Sequence, residues 1–149
     1  MLYLFFGIAV GVAAVDQITK FIMAKTRFVQ IIPDFFSFSY TENTGFAFSW
    51  GANNPLTRWG ISIFAIIVVV AGVVFFIKYK GKTKLLAIGG GLFIGGTVGN
   101  AIDRIIFGYV RDFIYLEFAN NTSNLADLGI TTGCILLGLW YILKDKWAK

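Results

Sequence analysis

The sequence contains no histidine and a single cysteine, Cys134. Without an imidazole base, the Ser–His and Cys–His nucleophile systems cannot form. One cysteine and no histidine do not make up the usual ligand set of a zinc site, and one cysteine cannot form an internal disulfide. A Ser–Lys pair remains open, with Ser37, Ser39, Ser49 and Ser123 as candidates, although no lysine is spaced to suggest a partner. Carboxylate chemistry is the main class that remains.

Charge is also scarce, because charged residues make up 14% of the 149 residues and hydrophobic residues make up 57%. A soluble domain of this length carries about 25% charged residues. The composition therefore predicts a membrane protein. The net charge of +5 comes mainly from lysines clustered at the ends of apolar segments. It does not require a nucleic-acid partner.

Long apolar segments predict a mainly α-helical protein with four transmembrane helices, forming one integral membrane domain over residues 1–149. The segment from Trp59 to Ile77 carries no charge and is long enough to cross a bilayer. The first segment could be taken for a secretory signal. No Lys or Arg precedes its apolar run, however, and the pattern continues past Asp16, so we expect it to be retained. The approximate predicted spans are residues 2–24, 56–77, 85–106 and 124–144.

The distribution of lysines predicts the orientation in the membrane. Four spans place both termini on one side, and the lysines of that side are Lys78, Lys80, Lys82, Lys84, Lys144, Lys146 and Lys149. Loops rich in Lys and Arg stay in the cytoplasm. Basic residues are more thinly spread over the other face. We therefore expect cytoplasmic termini, with Asp112 and Asp127 both on the outer face.

The outer segment of residues 28–52 is predicted to be rich in β-structure. Aromatic and hydroxyl side chains alternate over residues 36–41, a turn-like sequence follows at 42–45, and alternation resumes over 46–50. Period two on both sides of a turn predicts a β-hairpin with one aromatic face. That face can rest at the membrane interface, where aromatic rings are favoured, or pack on the protein's own helices. The sequence leaves both open, and one hairpin could do both.

The third span is dense in glycine. Three of its glycines fall four residues apart on one helical stripe, namely Gly91, Gly95 and Gly99. Small residues let neighbouring membrane helices approach closely. One turn further on, Asn100 and Arg104 share a face and Asp103 lies beside them. We interpret the stripe as tight helix packing that also brings these polar groups together.

Asp16 and Lys20 lie four residues apart in the outer half of the first span. An acid followed by a base at this spacing can form an ion pair on one helix face. The pair could simply neutralise itself within the membrane. It could also support and orient polar groups at the outer face. Spacing alone leaves both interpretations open.

Two further acids, Asp112 and Asp127, lie just outside very apolar stretches. An acid at the end of a membrane helix is expensive to keep dry, and it commonly has a function. If the two carboxyls meet, one can hold a proton while the other takes a proton from water, as in aspartic proteases. The alternative is that they are separate interfacial acids in solvent.

Five polar motifs, in order, resemble those of the bacterial signal peptidase II family, the lipoprotein signal peptidases. The resemblance covers nearly the whole chain. The motifs are Asp16-Gln17-Ile18-Thr19-Lys20, Asn43-Thr44-Gly45-Phe46-Ala47-Phe48, Gly99-Asn100-Ala101-Ile102-Asp103-Arg104, Val110-Arg111-Asp112-Phe113-Ile114 and Asn124-Leu125-Ala126-Asp127. Phe46 and Ser123 differ from the residues that are usual in the family. Neither difference removes a polar site group.

The resemblance implies an aspartic endopeptidase of the bacterial inner membrane, with Asp112 and Asp127 as the catalytic pair. Such enzymes remove the signal peptide from prolipoproteins, cutting just before a cysteine that carries diacylglycerol. The resemblance further implies supporting or substrate-binding roles for Asn43, Asn100, Asp103, Arg104, Asn124, Asp16 and Lys20. It implies no metal and no cofactor. We expect the protein to act as a monomer within the lipid bilayer.

Two rival functions remain at this stage. A small four-helix transporter or scaffold could use its acids to couple proton binding to transport, although these acids cluster at one face. A Ser–Lys peptidase would depend on a serine and not on Asp112. Cleavage of a lipid-modified prolipoprotein distinguishes the proposed peptidase from the transporter.

Overall fold

The structure is a computed structural model that describes residues 1–45 and 55–144, with the side chains of residues 55 and 57 left aside. These described residues form four long helices and four short strands. In chain order these are α1 (Leu2–Thr26), β1 (Phe28–Ile32), β2 (Phe36–Asn43), α2 (Pro55–Lys78), α3 (Lys84–Ile106), β3 (Val110–Leu116), a 3-10 turn (Glu117–Ala119), β4 (Asn121–Ser123) and α4 (Leu125–Leu143).

All four helices are long and apolar enough to cross a membrane. The mean hydropathy of the candidate span within α2, Arg58–Lys78, is 3.0, and that of the other three helices is 1.6 or 1.7. Over an apolar stretch of 18 residues, 61% of α3 is buried, against 11 to 22% for the corresponding stretches of the other three helices. Helix α3 is therefore the core of the bundle, and the remaining helices expose broad apolar surfaces to lipid. The predicted fold class is confirmed.

Glycines bring α3 into contact with the backbones of its neighbours. Gly95 faces α1, where an added Cβ would lie 2.5 Å from the carbonyl oxygen of Ala9. Gly96 faces α4, where an added Cβ would collide with the carbonyl oxygen of Ala126. Gly91 and Gly99 also face α1, as the stripe predicted. The glycines therefore let two neighbouring helices approach α3 more closely than any larger side chain allows.

Replacing Gly96 by alanine is expected to lower the free energy of unfolding by about 1–3 kcal/mol, because the methyl group has no space against the backbone of α4. The matched control is Gly138→Ala on α4, where an added Cβ meets no atom within 4 Å. That change should be neutral or slightly stabilising, since alanine favours helix. Thermal unfolding of both variants in one detergent measures the difference. Equal melting temperatures would contradict the packing argument.

The strands form one antiparallel sheet in the order β1-β2-β3-β4. Strand β2 pairs with β1 through a turn at residues 33–35, and on its other edge it pairs with β3, far away in the sequence. The predicted turn at 42–45 is therefore wrong in part, since Glu42 and Asn43 continue β2 and pair with Arg111 and Val110. The predicted second strand, residues 46–50, lies outside the described residues.

The aromatic residues of β2 are partly covered by the protein. Phe36 and Phe38 are half-buried, and the Phe38 ring lies 5.9 Å from that of the buried Phe113. Two further aromatic side chains are exposed at the end of the sheet next to Phe36, where Phe35 stacks on Phe118. The predicted aromatic face is thus neither fully packed nor fully exposed.

The sheet lies at one end of the helix bundle, and this position creates the site. Strand β3 follows the end of α3 after a short connection, and β4 is separated from α4 by Asn124 alone. In that connection Gly108 has a φ of +88°, a backbone conformation that glycine adopts readily. The chain thereby carries Asp112 on β3 back toward the start of α4, where Asp127 lies.

Candidate active site

Asp127 lies in the first turn of α4, where its backbone is held by a side-chain cap. Asn124 is the N-cap residue, and its side-chain oxygen accepts a hydrogen bond from the Asp127 backbone N–H at 2.9 Å. The preceding backbone N–H, that of Ala126, donates a hydrogen bond to the Asp16 carboxylate at 2.9 Å. Side chains thus satisfy two of the N–H donors that the start of a helix leaves open. One of the accepting side chains, that of Asp16, belongs to α1.

Asp112 lies on β3 and is 1% exposed. One of its carboxylate oxygens accepts a hydrogen bond from the Asn43 side-chain amide at 3.0 Å. The other accepts from the Asn124 side-chain amide at 2.5 Å. Asn43 and Asp112 are diagonal neighbours on β2 and β3, which places their side chains on the same face of the sheet.

Asn124 links the two acids through a single side chain. Its oxygen is held by the backbone of Asp127, so its NH₂ group is directed to Asp112. Asn43 is oriented in the same manner, because its side-chain oxygen accepts the Gly45 N–H at 3.1 Å. Both amides therefore present donors to the Asp112 carboxyl.

Asn100, on α3, provides the corresponding contact to Asp127. Its NH₂ group donates to one Asp127 oxygen at 2.7 Å, and the Ser123 hydroxyl donates to the other at 3.3 Å. The Asn100 side-chain oxygen accepts a hydrogen bond from the Lys20 ammonium at 2.9 Å. The direction of this third amide is thus set by a buried lysine.

Lys20 belongs to a buried charge network behind the two acids. Its ammonium lies 2.8 Å from Asp16 and 3.4 Å from Asp103, and all three side chains have no exposed surface. Asp103 also binds the guanidinium of Arg111 at 2.7 Å and accepts the Arg111 backbone N–H at 2.9 Å. The Asp16–Lys20 pair is therefore more than a self-neutralising pair, since it is joined to the Asn100–Asp127 contact.

Gln17 and Arg111 are part of this network, although the sequence analysis did not select them as site residues. Gln17 donates to Asp103 at 3.0 Å, and its oxygen accepts from Arg111 at 2.7 Å. Both lie inside motifs that carry the family resemblance, and Arg111 precedes Asp112. Their place in those motifs was the available signal. Their contacts are with residues more than 80 positions away in the chain or across a turn, which spacing alone does not reveal.

Arg104 is half-buried at the edge of the site. Its guanidinium reaches the carbonyl oxygens of Asn100 at 3.5 Å and Gly45 at 3.4 Å. The carbonyl of Arg104 itself accepts a hydrogen bond from Arg58 on α2 at 2.9 Å. Arg104 thus lies close to the carboxylates with donor capacity left for another molecule.

Asp112 and Asp127 line a single cavity of about 640 Å³, together with Asn43, Asn100 and Arg104. The opposite wall is apolar and consists of Ile61, Phe64, Ala65, Val68, Phe93 and Ile130. The cavity therefore joins a polar end, built by the sheet and the helix ends, to an apolar channel between α2, α3 and α4. It can hold an apolar peptide segment with a backbone bond beside the acids.

The pKa of Asp112 is raised from its ordinary value of 3.8 to about 6. Burial is the largest cause, because a dry environment disfavours the charged carboxylate. The hydrogen bond from Asn43 lowers the pKa, and the negative charge of Asp127 raises it. Both side chains line the same cavity, so the structure brings the two acids together, which spacing had left undecided.

The raised pKa predicts how the stability of the protein depends on pH. The folded protein binds the Asp112 proton more tightly than the unfolded chain, so this contribution is complete below about pH 4 and is lost as the pH rises through about 6. At 1.36 kcal/mol per pKa unit, the loss reaches about 3 kcal/mol. Asp112→Asn should gain stability relative to the wild type between pH 4 and 7.5. Thermal unfolding across this range tests the prediction, and a difference that is independent of pH would refute it.

Within the described residues, the structure supports neither the Ser–Lys pair nor a metal site. In the described part of the chain, Lys20 contacts only Asp16, Asn100 and Asp103 among polar side chains, and Ser123 donates to Asp127. Ser49 lies outside the described residues. Across residues 1–45 and 55–144, no three His, Cys, Asp or Glu side chains are grouped so that they could hold a metal ion.

Comparison with known proteins identifies the family. The family described as signal peptidase (SPase) II matches residues 8–143. The chain belongs to the signal peptidase II family. Among signal peptidase II relatives, the lipoprotein signal peptidase of Ectopseudomonas mendocina is 36% identical, covering 95% of this chain and 89% of its own. That of Symbiobacterium thermophilum is also 36% identical, covering 93% of this chain and 94% of its own.

Solved structures agree with the signal peptidase II assignment. A bacterial membrane enzyme determined by the in meso method at 2.3 Å resolution superimposes with a TM-score of 0.82 and 33% identity, over 95% of this chain and 88% of its own. A second, at 1.9 Å resolution, gives a TM-score of 0.79 and 34% identity, over 93% and 91%. Membership of a peptidase family over nearly the whole chain disfavours the transporter alternative.

Proposed function

We propose that this protein removes the signal peptide from diacylglyceryl-modified prolipoproteins, with Asp112 and Asp127 as its catalytic pair. The observation that carries the proposal is the cavity that joins two adjacent carboxyls to an apolar channel. A signal peptide has an apolar segment that suits the channel walls. Its scissile bond, just before the lipid-modified cysteine, would then lie at the polar end.

The two acids would share one proton during catalysis. The ionised carboxyl takes a proton from a water molecule as the water oxygen attacks the scissile carbonyl carbon. The protonated carboxyl gives its proton to the carbonyl oxygen. The amide nitrogen then takes a proton from the acid that received one. As the C–N bond breaks, a hydroxyl of the tetrahedral intermediate returns its proton to the other acid and the new C=O bond forms. The pair thus ends with one proton, as it began, and no metal is needed.

The remaining polar residues would hold this geometry. Asn43, Asn100 and Asn124 present NH₂ groups to the carboxyls, and these contacts stabilise the negative charge. Arg104 retains donors directed toward the cavity and is suited to a substrate carbonyl. Behind them, the network of Asp16, Lys20 and Asp103 would hold α1, α3 and the amide side chains in their relative positions.

We propose that the whole chain forms one integral domain of the bacterial inner membrane and acts as a monomer. The lysine-rich connection between α2 and α3 supports cytoplasmic termini. The sheet and both acids would then lie on the outer face, where exported prolipoproteins are held by their signal peptide and lipid. Such a substrate can diffuse laterally to the cavity.

Cleavage by the purified protein tests the function. Two forms of one prolipoprotein are compared, one with diacylglycerol on the cysteine and one without it. We expect cleavage only of the modified form, directly before the cysteine, and the same rate with a chelator present. Equal cleavage of both forms would refute the proposed substrate class. Loss of activity with chelator, restored by a divalent metal, would refute the proposed chemistry.

A further inference from the structure

Charged side chains surround the two acids from three elements of the fold. Asp16 and Lys20 on α1 and Asp103 on α3 are completely buried, and Arg111 on β3 is 6% exposed. Asp112, which accepts bonds from two amides, is also buried. Such groups are not screened by water, so each charge acts on its neighbours more strongly than at a surface.

Contacts join these charges into one cluster. Asp16 pairs with Lys20, Lys20 with Asp103, and Asp103 with Arg111. Asp127 and Arg104 complete the cluster at the cavity, where Arg104 and both acids are lining residues. The cluster therefore contains four carboxyl groups and three cations.

The balance of carboxyl groups and cations in the cluster favours the binding of one proton. With every group ionised, the cluster carries one net negative charge, and one bound proton makes it neutral. A buried group of charges is least costly when it is neutral. Asp16 and Asp103 are each tied to a cation, whereas Asp112 contacts only neutral amides among its direct partners. The proton therefore belongs to the Asp112–Asp127 pair.

Other charges at this end of the bundle do not change the balance. Lys25 on α1, Arg27 after it, Glu42 on β2 and Arg58 on α2 all reach solvent. Solvent and salt screen such charges. Asp34 lies at the far end of the sheet, in the turn between β1 and β2.

Two sets of contacts connect the Asp16–Lys20 pair to Asp127 through intervening groups. Lys20 donates to the Asn100 oxygen, and the Asn100 NH₂ group donates to Asp127. Asp16 accepts the backbone N–H of Ala126, the residue that precedes Asp127. The pair thus acts on Asp127 through one amide side chain and one peptide group.

We infer that Asp16 and Lys20 are positioning residues that set how many protons the Asp112–Asp127 pair holds near neutral pH. This inference rests on the proposed function. Removing the Asp16 charge makes the cluster more positive, so the pair loses its shared proton at lower pH. Removing the Lys20 charge makes it more negative, so the pair keeps its proton to higher pH. Consistent with this direction, burial raises the pKa of Asp112 and the charge of Lys20 opposes that rise.

The pH dependence of kcat/KM in three variants tests the inference. Asp16→Asn should move the bell-shaped profile to lower pH by about one unit, and Lys20→Met should move it to higher pH by a similar amount. The double variant Asp16→Asn/Lys20→Met should return toward the wild-type position. The matched control is Asp34→Asn, which removes an exposed carboxyl and should leave the profile in place.

A structural role alone would lower activity at every pH without opposite displacements, and that result would overturn the inference. If Lys20→Met does not fold, Asp16→Asn and the double variant decide, since only the single variant should be displaced. Full activity of Asp112→Asn would instead overturn the proposed catalytic pair. The two failures are thus distinguishable, because one concerns the position of the profile and the other the activity of the catalytic-pair variants.

Discussion

Replacing either Asp112 or Asp127 by asparagine is expected to reduce cleavage of lipid-modified prolipoprotein by about 10⁴-fold or more. An amide has nearly the shape of a carboxyl group, yet it can neither take the proton from water nor give one to the scissile carbonyl. Both variants should insert in the membrane and fold. The double variant should be no worse than either single variant, because residues that act as a unit are not additive.

Single-turnover cleavage by purified variants measures this effect, with unfolding temperature as the check on folding. Cys134→Ala is a suitable control, because the Cys134 side chain is exposed and is not among the residues that line the cavity. It should retain wild-type activity. A folded Asp112→Asn or Asp127→Asn enzyme with full activity would disprove the catalytic pair.

Changes at Asn124 are expected to have the next largest effect on cleavage, because this side chain makes two separate hydrogen bonds. Its oxygen caps α4 by accepting the Asp127 N–H, and its NH₂ group donates to Asp112. Asn124→Ser keeps a capping oxygen but loses the donor to Asp112. Cleavage should fall about 10²-fold, since a hydrogen bond to a charged group contributes about 1.5–3 kcal/mol. The free energy of unfolding should fall by about 1–2 kcal/mol, because the buried Asp112 carboxyl loses a donor while the helix cap is kept.

Asn124→Leu removes both hydrogen bonds while keeping a side chain of similar volume. The free energy of unfolding should fall by about 2–4 kcal/mol, because the cap is lost and a buried carboxyl loses a donor. Cleavage should fall at least as far as in Asn124→Ser. Comparing the two variants separates capping from catalysis. Equal stability of the Ser and Leu variants would show that Asn124 does not cap the helix in solution.

The membrane class followed from the sequence alone. Hydropathy is a local property that sums over consecutive residues, so four apolar segments sufficed to predict four helices, and the helices of the structure agree with the predicted fold class. The order of the motifs was sufficient to indicate the family, since each motif can be read without knowing its neighbours in space.

Strand pairing required the tertiary structure. Alternation at residues 36–41 indicates an extended strand but does not identify its partner. The structure pairs Phe36 with Leu116 and Thr41 with Asp112, which are 80 and 71 residues apart in the chain, so this strand is one of the two central strands of a four-stranded sheet. Hydrogen bonds between strands depend on which backbones meet, and that is decided by how the helices place them.

The same distinction holds for the site. The sequence by itself determined which side chains were available: the acids Asp112 and Asp127 near helix ends, the motif asparagines Asn43, Asn100 and Asn124, and no histidine. Only the tertiary structure decided that Asn124 bridges the acids and that Lys20 reaches Asn100 across 80 positions. Such contacts depend on the distance between α1 and α3, which is set by glycines packed against backbone. The sequence determines the residue types. The charges of these side chains act strongly on one another only after packing has excluded the water between the side chains.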